Sequence, residues 1–389
     1  MIPLAVPNLT GREREYLNQC IDTTFVSSVG EFVNRLEEMT AGICGTDRAV
    51  ATSSGTTGIH LALVGCGVKR DEIVIIPTFT FIATANAVAH CGAVPWLMDI
   101  SPESWTMDAV QVEREIERKT VWDGERLIHR ESGRRVAAIM PVYTLGNIPA
   151  MEHFRVIADQ YHLPLIADAA AALGAVYQGK KLGELADLTI FSFNGNKTVT
   201  AGGGGAIVGK DDVLLTKLKH LSSTARVTAE YDHDMVGYNY RMTNIQAAVG
   251  CAQLERLDEF VQRKREIRSF YNHAFGERDD VDVFPISPGT ESACWFSGVV
   301  LNQGNLETVR VLISKMRDKG IECKSFWKPV HLQKPYKGAL QADSLNKAER
   351  LWSRILTMPC STGITDDELR TVAKSLMEEL DRSRMEQRS

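Results

Sequence analysis

The sequence predicts an α/β fold in which a doubly wound, mostly parallel sheet is sandwiched by helices and followed by a smaller C-terminal α+β domain. Two observations predict it. Short apolar runs rich in β-branched residues alternate with helical patterns through the first 240 residues. After Tyr240 the texture changes to sustained helical spacing. The absence of a fixed-period repeat or a low-complexity tract excludes a solenoid or a fibre.

Taken in order, the strand candidates are Ile73–Ile76, Val94–Leu97, Val136–Met140, Pro164–Ala167 and Leu188–Phe193. Runs such as IVII and AAIM are apolar on both faces, as strands covered by helices on both sides require. No charged residue occurs between Ile73 and Met98, but Pro77, Asn86, His90, Gly92 and Pro95 divide that stretch into strand, helix and strand rather than a membrane span. The charged segment Glu113–Arg135 is expected to be a solvated helix end and an exposed loop. Thr243-Asn244-Ile245-Gln246 matches a capping box, and Ile245, Val249, Leu254, Leu257 and Val261 keep helical spacing, so one long helix is expected to begin there. The division is therefore a large domain over residues 1–240 and a linking helix with a small domain over 241–389, with residues 1–30 able to pack against the latter. Asp381–Ser389 is a polar tail.

The 389 residues suffice for such a pair of domains, and 44% of them are hydrophobic. A net charge of -5, with both signs mixed along the chain, argues against nucleic-acid binding and against a basic membrane-binding surface. The eight cysteines form no C-x-x-C pair and no cluster with histidine at metal-ligand spacing, so neither a disulfide framework nor a metal is expected. The start Met1-Ile2-Pro3 lacks the character of a secretory signal, and a reduced cytoplasmic protein fits best.

Three segments could carry chemistry. In Phe191–Gly205 a lysine, Lys197, follows a strand and precedes four glycines. An amine held there and partly desolvated has a lowered pKa and becomes a nucleophile for a carbonyl. The order of residues does not fit a phosphate-binding P-loop, whose glycines lie upstream of its lysine; taken alone, the segment equally describes a surface lysine beside a turn. Leu165-Ile166-Ala167-Asp168 ends an apolar strand with a carboxylate. A buried Asp168 needs a cationic partner, such as a protonated ring nitrogen, or else serves as a helix cap. Thr52-Ser53-Ser54-Gly55-Thr56-Thr57-Gly58 leads into a helical pattern, where hydroxyls and helix N-terminal amides favour phosphate, although such clusters often only cap helices. Together the segments supply a phosphate cradle, an aspartate for a cationic ring and a lysine for an aldehyde, each at a strand-to-helix turn where open α/β sheets bind ligands.

With these residues, and with Pro77–Thr84, Ser192-Phe193 and Gly237–Met242, the sequence resembles the DegT/DnrJ/EryC1/StrS aminotransferases over nearly its whole length. The resemblance implies the fold-type I architecture of pyridoxal-phosphate (PLP) enzymes, with a seven-stranded type of sheet. It further implies that Lys197 is the Schiff-base lysine, that Asp168 pairs with the pyridine nitrogen, and that Gly55, Thr56 and Ser192 hold the phosphate. Phe81 matches the aromatic residue that stacks on the ring. Asn239 matches a residue reaching the phosphate from a neighbouring subunit, which implies a homodimer. His331 and Arg241 match positions near the substrate, with packing or a surface ion pair as their structural alternative.

Two positions depart from the pattern: Ala171, where many relatives carry a polar side chain contacting the cofactor, and Gly203, where a glutamate is frequent. Some relatives replace the lysine by histidine and are dehydratases; Lys197 argues for transamination. The strings Asn194–Lys197, Tyr238–Arg241 and Pro359–Thr362 resemble most the aminotransferases of legionaminic-acid and bacillosamine pathways. These imply amino transfer from L-glutamate to UDP-N-acetyl-4-keto-6-deoxyglucosamine. The alternatives are GDP-4-keto-6-deoxymannose, an 8-keto octulosonate or a cyclitol ketone as acceptor, or a non-catalytic binding or regulatory protein on the same fold.

Overall fold

The computed structural model describes residues 1–388; Ser389, the last residue of the polar tail, lies outside the described residues. The strands of the main sheet are β1 (Arg48–Thr52), β2 (Ile73–Pro77), β3 (Val94–Met98), β4 (Val136–Ile139), β5 (Ile166–Asp168), β6 (Leu188–Ser192) and β7 (Gly205–Gly209). Their order is β3-β2-β4 followed by β5-β6-β7-β1. Parallel bridges Ile139–Leu165 and Val142–Asp168 join the two sets across β4 and β5. All pairings are parallel except the two made by β7, which runs antiparallel to both β6 and β1. Two reversals restore the direction, so the carboxyl ends of β1, β5 and β6 lie on one edge. All five strands expected from sequence are present within a residue or two of their expected ends.

β2 is buried at every residue, as its continuous apolar run demands. The charge-free segment after it is strand, helix (Ile82–His90) and strand, and among the described residues no helix is long and apolar enough to cross a membrane. The charged stretch differs from expectation. After the helix Ala109–Lys119, the segments Thr120–Trp122 and Leu127–His129 pair as an antiparallel hairpin, because Leu127 and His129 are buried and fix its register.

Past residue 240, strands β8 (Val281–Val283), β9 (Ser297–Leu301), β10 (Lys324–Ser325) and β12 (Ile355–Met358) form a second, antiparallel sheet in the order β8-β9-β12-β10. Between them β11 (Leu340–Gln341) returns to the main sheet and pairs in parallel with β3. The helix Asp366–Arg388 runs through most of the expected polar tail. Residues Ile2–Leu4 join the second sheet's side: Ile2 bridges Ile321, and Leu4 packs in its core. The helix Glu13–Asp22 packs instead on Asn244–Leu254.

The expected long helix is two. Thr243 caps the first, Asn244–Leu254, through the anticipated capping box. The chain then leaves helical geometry at Arg256 (φ -112°, ψ 14°) before Leu257–Phe275. The break follows from tertiary partners. Glu255 accepts from Tyr16 at 2.5 Å and Arg35 at 2.6 Å, while Arg256 is drawn to Thr10 and Glu259. Within the first helix Ala247, Ala248 and Cys251 face the core, whereas Ile245, expected on that face, is exposed.

Candidate active site

A cavity of about 570 Å³ opens where the carboxyl ends of β1, β5 and β6 meet residues of the second sheet. One wall is the start of the helix Gly55–Gly65. Ser54 caps it through a box with Thr57, and the first amides of a helix have no acceptor within it. Helix and strand approach closely here, since a Cβ on Gly55 would stand 2.9 Å from the Ser192 Cβ. Glycine at 55 thus leaves a notch between an amide-rich helix end and the Ser192 hydroxyl, a place suited to a phosphate.

Asp168 closes the floor and is 5% exposed. Its Oδ2 accepts from the Thr84 hydroxyl at 2.7 Å, and its Oδ1 from the Ala170 amide at 3.1 Å. Burial pushes its carboxyl pKa up against those two donors and against the Lys197 amine. A carboxylate so placed calls for a cation above it.

Lys197, in the turn after β6, is half-buried, and burial brings its amine down to about 8 against the opposing pull of Asp168. Its Nζ stands 3.7 Å from the centroid of the Trp295 ring. The opposite wall is aromatic: Phe81, 55% exposed, packs 6.1 Å from Trp327, and Trp327 stacks on Phe326 at 4.3 Å. The donor set meets what PLP requires in one place, namely a phosphate notch, a buried carboxylate and a nucleophilic amine.

The structure brings Gly55, Thr56, Phe81, Asp168, Ser192 and Lys197 together around this cavity. Ala171 and Gly203 also line it; a Cβ on Gly203 would come 3.1 Å from the Gln246 amide, a nitrogen that stands close to where a side chain would begin. Three expected residues are elsewhere. Asn239 is exposed and bridges Ser223 through its backbone. Arg241 bridges Thr52, with its Nε buried and unpaired. His331 is buried between the Thr78 hydroxyl, 2.6 Å from Nδ1, and Glu349, 2.9 Å from Nε2, so within a single chain it has the packing role named as its alternative. Sequence reasoning missed Thr84 as the partner of Asp168, although it ends the Pro77–Thr84 motif, and missed Trp295, which no spacing signals.

Comparison with known proteins agrees with the geometry. Residues 7–377 match the model of the DegT/DnrJ/EryC1/StrS aminotransferase family. A GDP-perosamine synthase of Caulobacter vibrioides is 37% identical over 96% of this chain and 97% of its own. A UDP-4-amino-4,6-dideoxy-N-acetyl-beta-L-altrosamine transaminase of Campylobacter jejuni is 30% identical over 92% of each. The crystal structure of a DegT DnrJ EryC1 StrS aminotransferase from Brucella abortus superposes with a TM-score of 0.86, at 26% identity, over 94% of this chain and 95% of that one.

Proposed function

Because the chain belongs to the DegT/DnrJ/EryC1/StrS aminotransferase family, whose members are PLP-dependent, we propose that it moves an amino group from L-glutamate to UDP-N-acetyl-4-keto-6-deoxyglucosamine. The observation that carries the catalytic reading is the convergence of Lys197, Asp168 and the Gly55 notch on one cavity. The UDP-linked acceptor rests on the strings Asn194–Lys197, Tyr238–Arg241 and Pro359–Thr362. A second reading, GDP-4-keto-6-deoxymannose, is favoured by the 37% identity to a GDP-perosamine synthase.

PLP, when bound, supplies an aldehyde for the amine and a ring that takes up the electron pair of a broken C–H bond. Gly55 and Thr56 at the helix start, with the Ser192 hydroxyl, would hold its phosphate. Asp168, kept in place by Thr84 and Ala170, would pair with a protonated pyridine nitrogen. Phe81 would cover the ring. Lys197 would hold the aldehyde of the bound cofactor, and its Nζ, when free, would carry a proton between the carbons of the substrate and cofactor. An amine with a pKa of about 8 suits both steps, since it gains and loses a proton near neutral pH.

The working unit in this reading is a homodimer in which Asn239 of one subunit reaches the phosphate held by the other. The exposure of Asn239 supports it, as do the exposed apolar side chains Phe25, Val26, Val29 and Ile245, grouped where Asn244 holds the Phe25 and Ser27 carbonyls.

The test is to add L-glutamate to the yellow protein and then each keto-sugar in turn. Loss of the cofactor band with glutamate and its return with the UDP-linked sugar supports the proposal. Return only with the GDP-linked sugar selects the second reading, and no band change with glutamate defeats the choice of donor.

A further inference from the structure

Trp295 is 3% exposed and meets Lys197 in two ways. Its indole Nε1–H donates to the carbonyl of Asn196 at 2.7 Å, gripping the backbone one residue before the lysine. Its ring face receives the Lys197 Nζ at 3.7 Å, well within the range at which an ammonium is attracted to an aromatic face.

The position of the ring is determined by several restraints. The Trp295 amide donates to the Leu145 carbonyl at 3.1 Å, and its own carbonyl accepts from Lys264 Nζ at 2.9 Å. Lys264 is itself buried and ties in the Cys360 carbonyl at 2.6 Å. Cys294 (φ 48°) and Leu145 (φ 61°) both adopt left-handed backbone, a conformation that non-glycine residues keep only where their surroundings enforce it. Left-handed backbone thus flanks this contact on both sides, at Leu145 in one segment and at Cys294 in the other.

We infer that Trp295 is a positioning residue for Lys197: its ring receives the amine whenever the lysine is not bonded to the cofactor and keeps it within reach of the carbons between which it moves a proton. The inference rests on the proposed role of Lys197. Two simpler accounts compete with it. A buried wall of any shape would desolvate the amine without holding it, and an indole beside Trp327, 5.8 Å away, could instead serve as a stacking surface for the sugar.

The accounts separate in protein stripped of cofactor, where an ammonium over an indole quenches its emission. As pH rises through the amine's protonation step at about 8, tryptophan emission should rise in the wild type. The step should vanish in Lys197→Met and equally in Trp295→Phe, which keeps an aromatic ring in the same packing. A step that persists in Trp295→Phe, or is missing from the wild type, overturns the inference. In the holoenzyme, Trp295→Leu should lower kcat about 3- to 30-fold with KM for the sugar unchanged, and Trp295→Phe should recover most of the loss. A rise in KM for the sugar with kcat intact would assign the ring to substrate stacking and defeat the inference. Borohydride reduction of the wild type followed by peptide mapping keeps the two levels apart: cofactor fixed on a residue other than Lys197 refutes the role of the lysine, whatever the emission shows.

Discussion

The Thr84 hydroxyl donates to Asp168 Oδ2 at 2.7 Å, and Thr84 in turn meets the Thr80 hydroxyl at 2.8 Å. A hydrogen bond to a buried charged group contributes about 1.5–3 kcal/mol. Thr84→Val keeps the shape and removes the donor, so the Asp168 carboxyl should become easier to protonate and a poorer partner for a cationic ring. PLP affinity should fall by about 10- to 100-fold in a spectrophotometric titration. Unchanged affinity would mean that Asp168 does not hold the ring nitrogen.

The lowered pKa of Lys197 sets a pH dependence whose sign is fixed by the nucleophile being the uncharged amine. Protein stripped of cofactor should take up PLP slowly where the amine is protonated, faster as pH rises through about 8, and at a constant rate above it. An unperturbed lysine would put the midpoint near 10.5. Stopped-flow absorbance against pH measures it, and Lys197→Ala should show no borohydride-stable adduct and no turnover.

Gly55→Ala places a methyl group 2.9 Å from the Ser192 Cβ, inside van der Waals contact. Helix and β6 must separate, at a cost of about 1–3 kcal/mol, and the notch fills. The expected result is a loss of both thermal stability and phosphate-dependent affinity. Pyridoxal lacking the phosphate should bind the variant and the wild type with nearly equal affinity.

Lys264 lies on Leu257–Phe275 beside Arg268 and Tyr271, and all three donate to carbonyls: Trp295 and Cys360, Phe296, and Pro359 respectively. Lys264→Met would leave two buried carbonyls without this donor and should destabilise the protein by about 1–3 kcal/mol in urea unfolding.

Much of this was legible in the sequence because strands buried on both faces are written as unbroken apolar runs, and a polar residue ending such a run stands out. Asp168 after Leu165-Ile166-Ala167 is found that way, and Lys197 by lying between such a strand and a run of four glycines. β1 and β7 escape the same test. RAVAT and GAIVG are rich in small residues and lack an unbroken run of large apolar side chains, and the antiparallel course of β7 comes from a glycine turn rather than from periodicity. The break after Leu254 is equally silent, since apolar spacing runs straight through it while Tyr16 and Arg35 interrupt the helix from far away in sequence. Trp295 was invisible for a related reason: 99 residues separate it from Asn196, and only the second sheet brings the two together. Asn239, Arg241 and His331 were carried by resemblance alone, and within one chain their surroundings do not lead to the cavity.

The cavity draws on both hydrophobic cores, with Ile59 and Tyr143 belonging to one and Phe296 and Phe326 to the other. A ligand that bridges them is also a thermodynamic clamp. Binding to the folded form alone adds about 2.7 kcal/mol at a hundredfold excess over Kd, so the melting temperature should climb with the logarithm of PLP concentration. Cells short of the vitamin would then hold less of this protein as well as a less active one, because the chain emptied of cofactor is the one that opens to proteolysis.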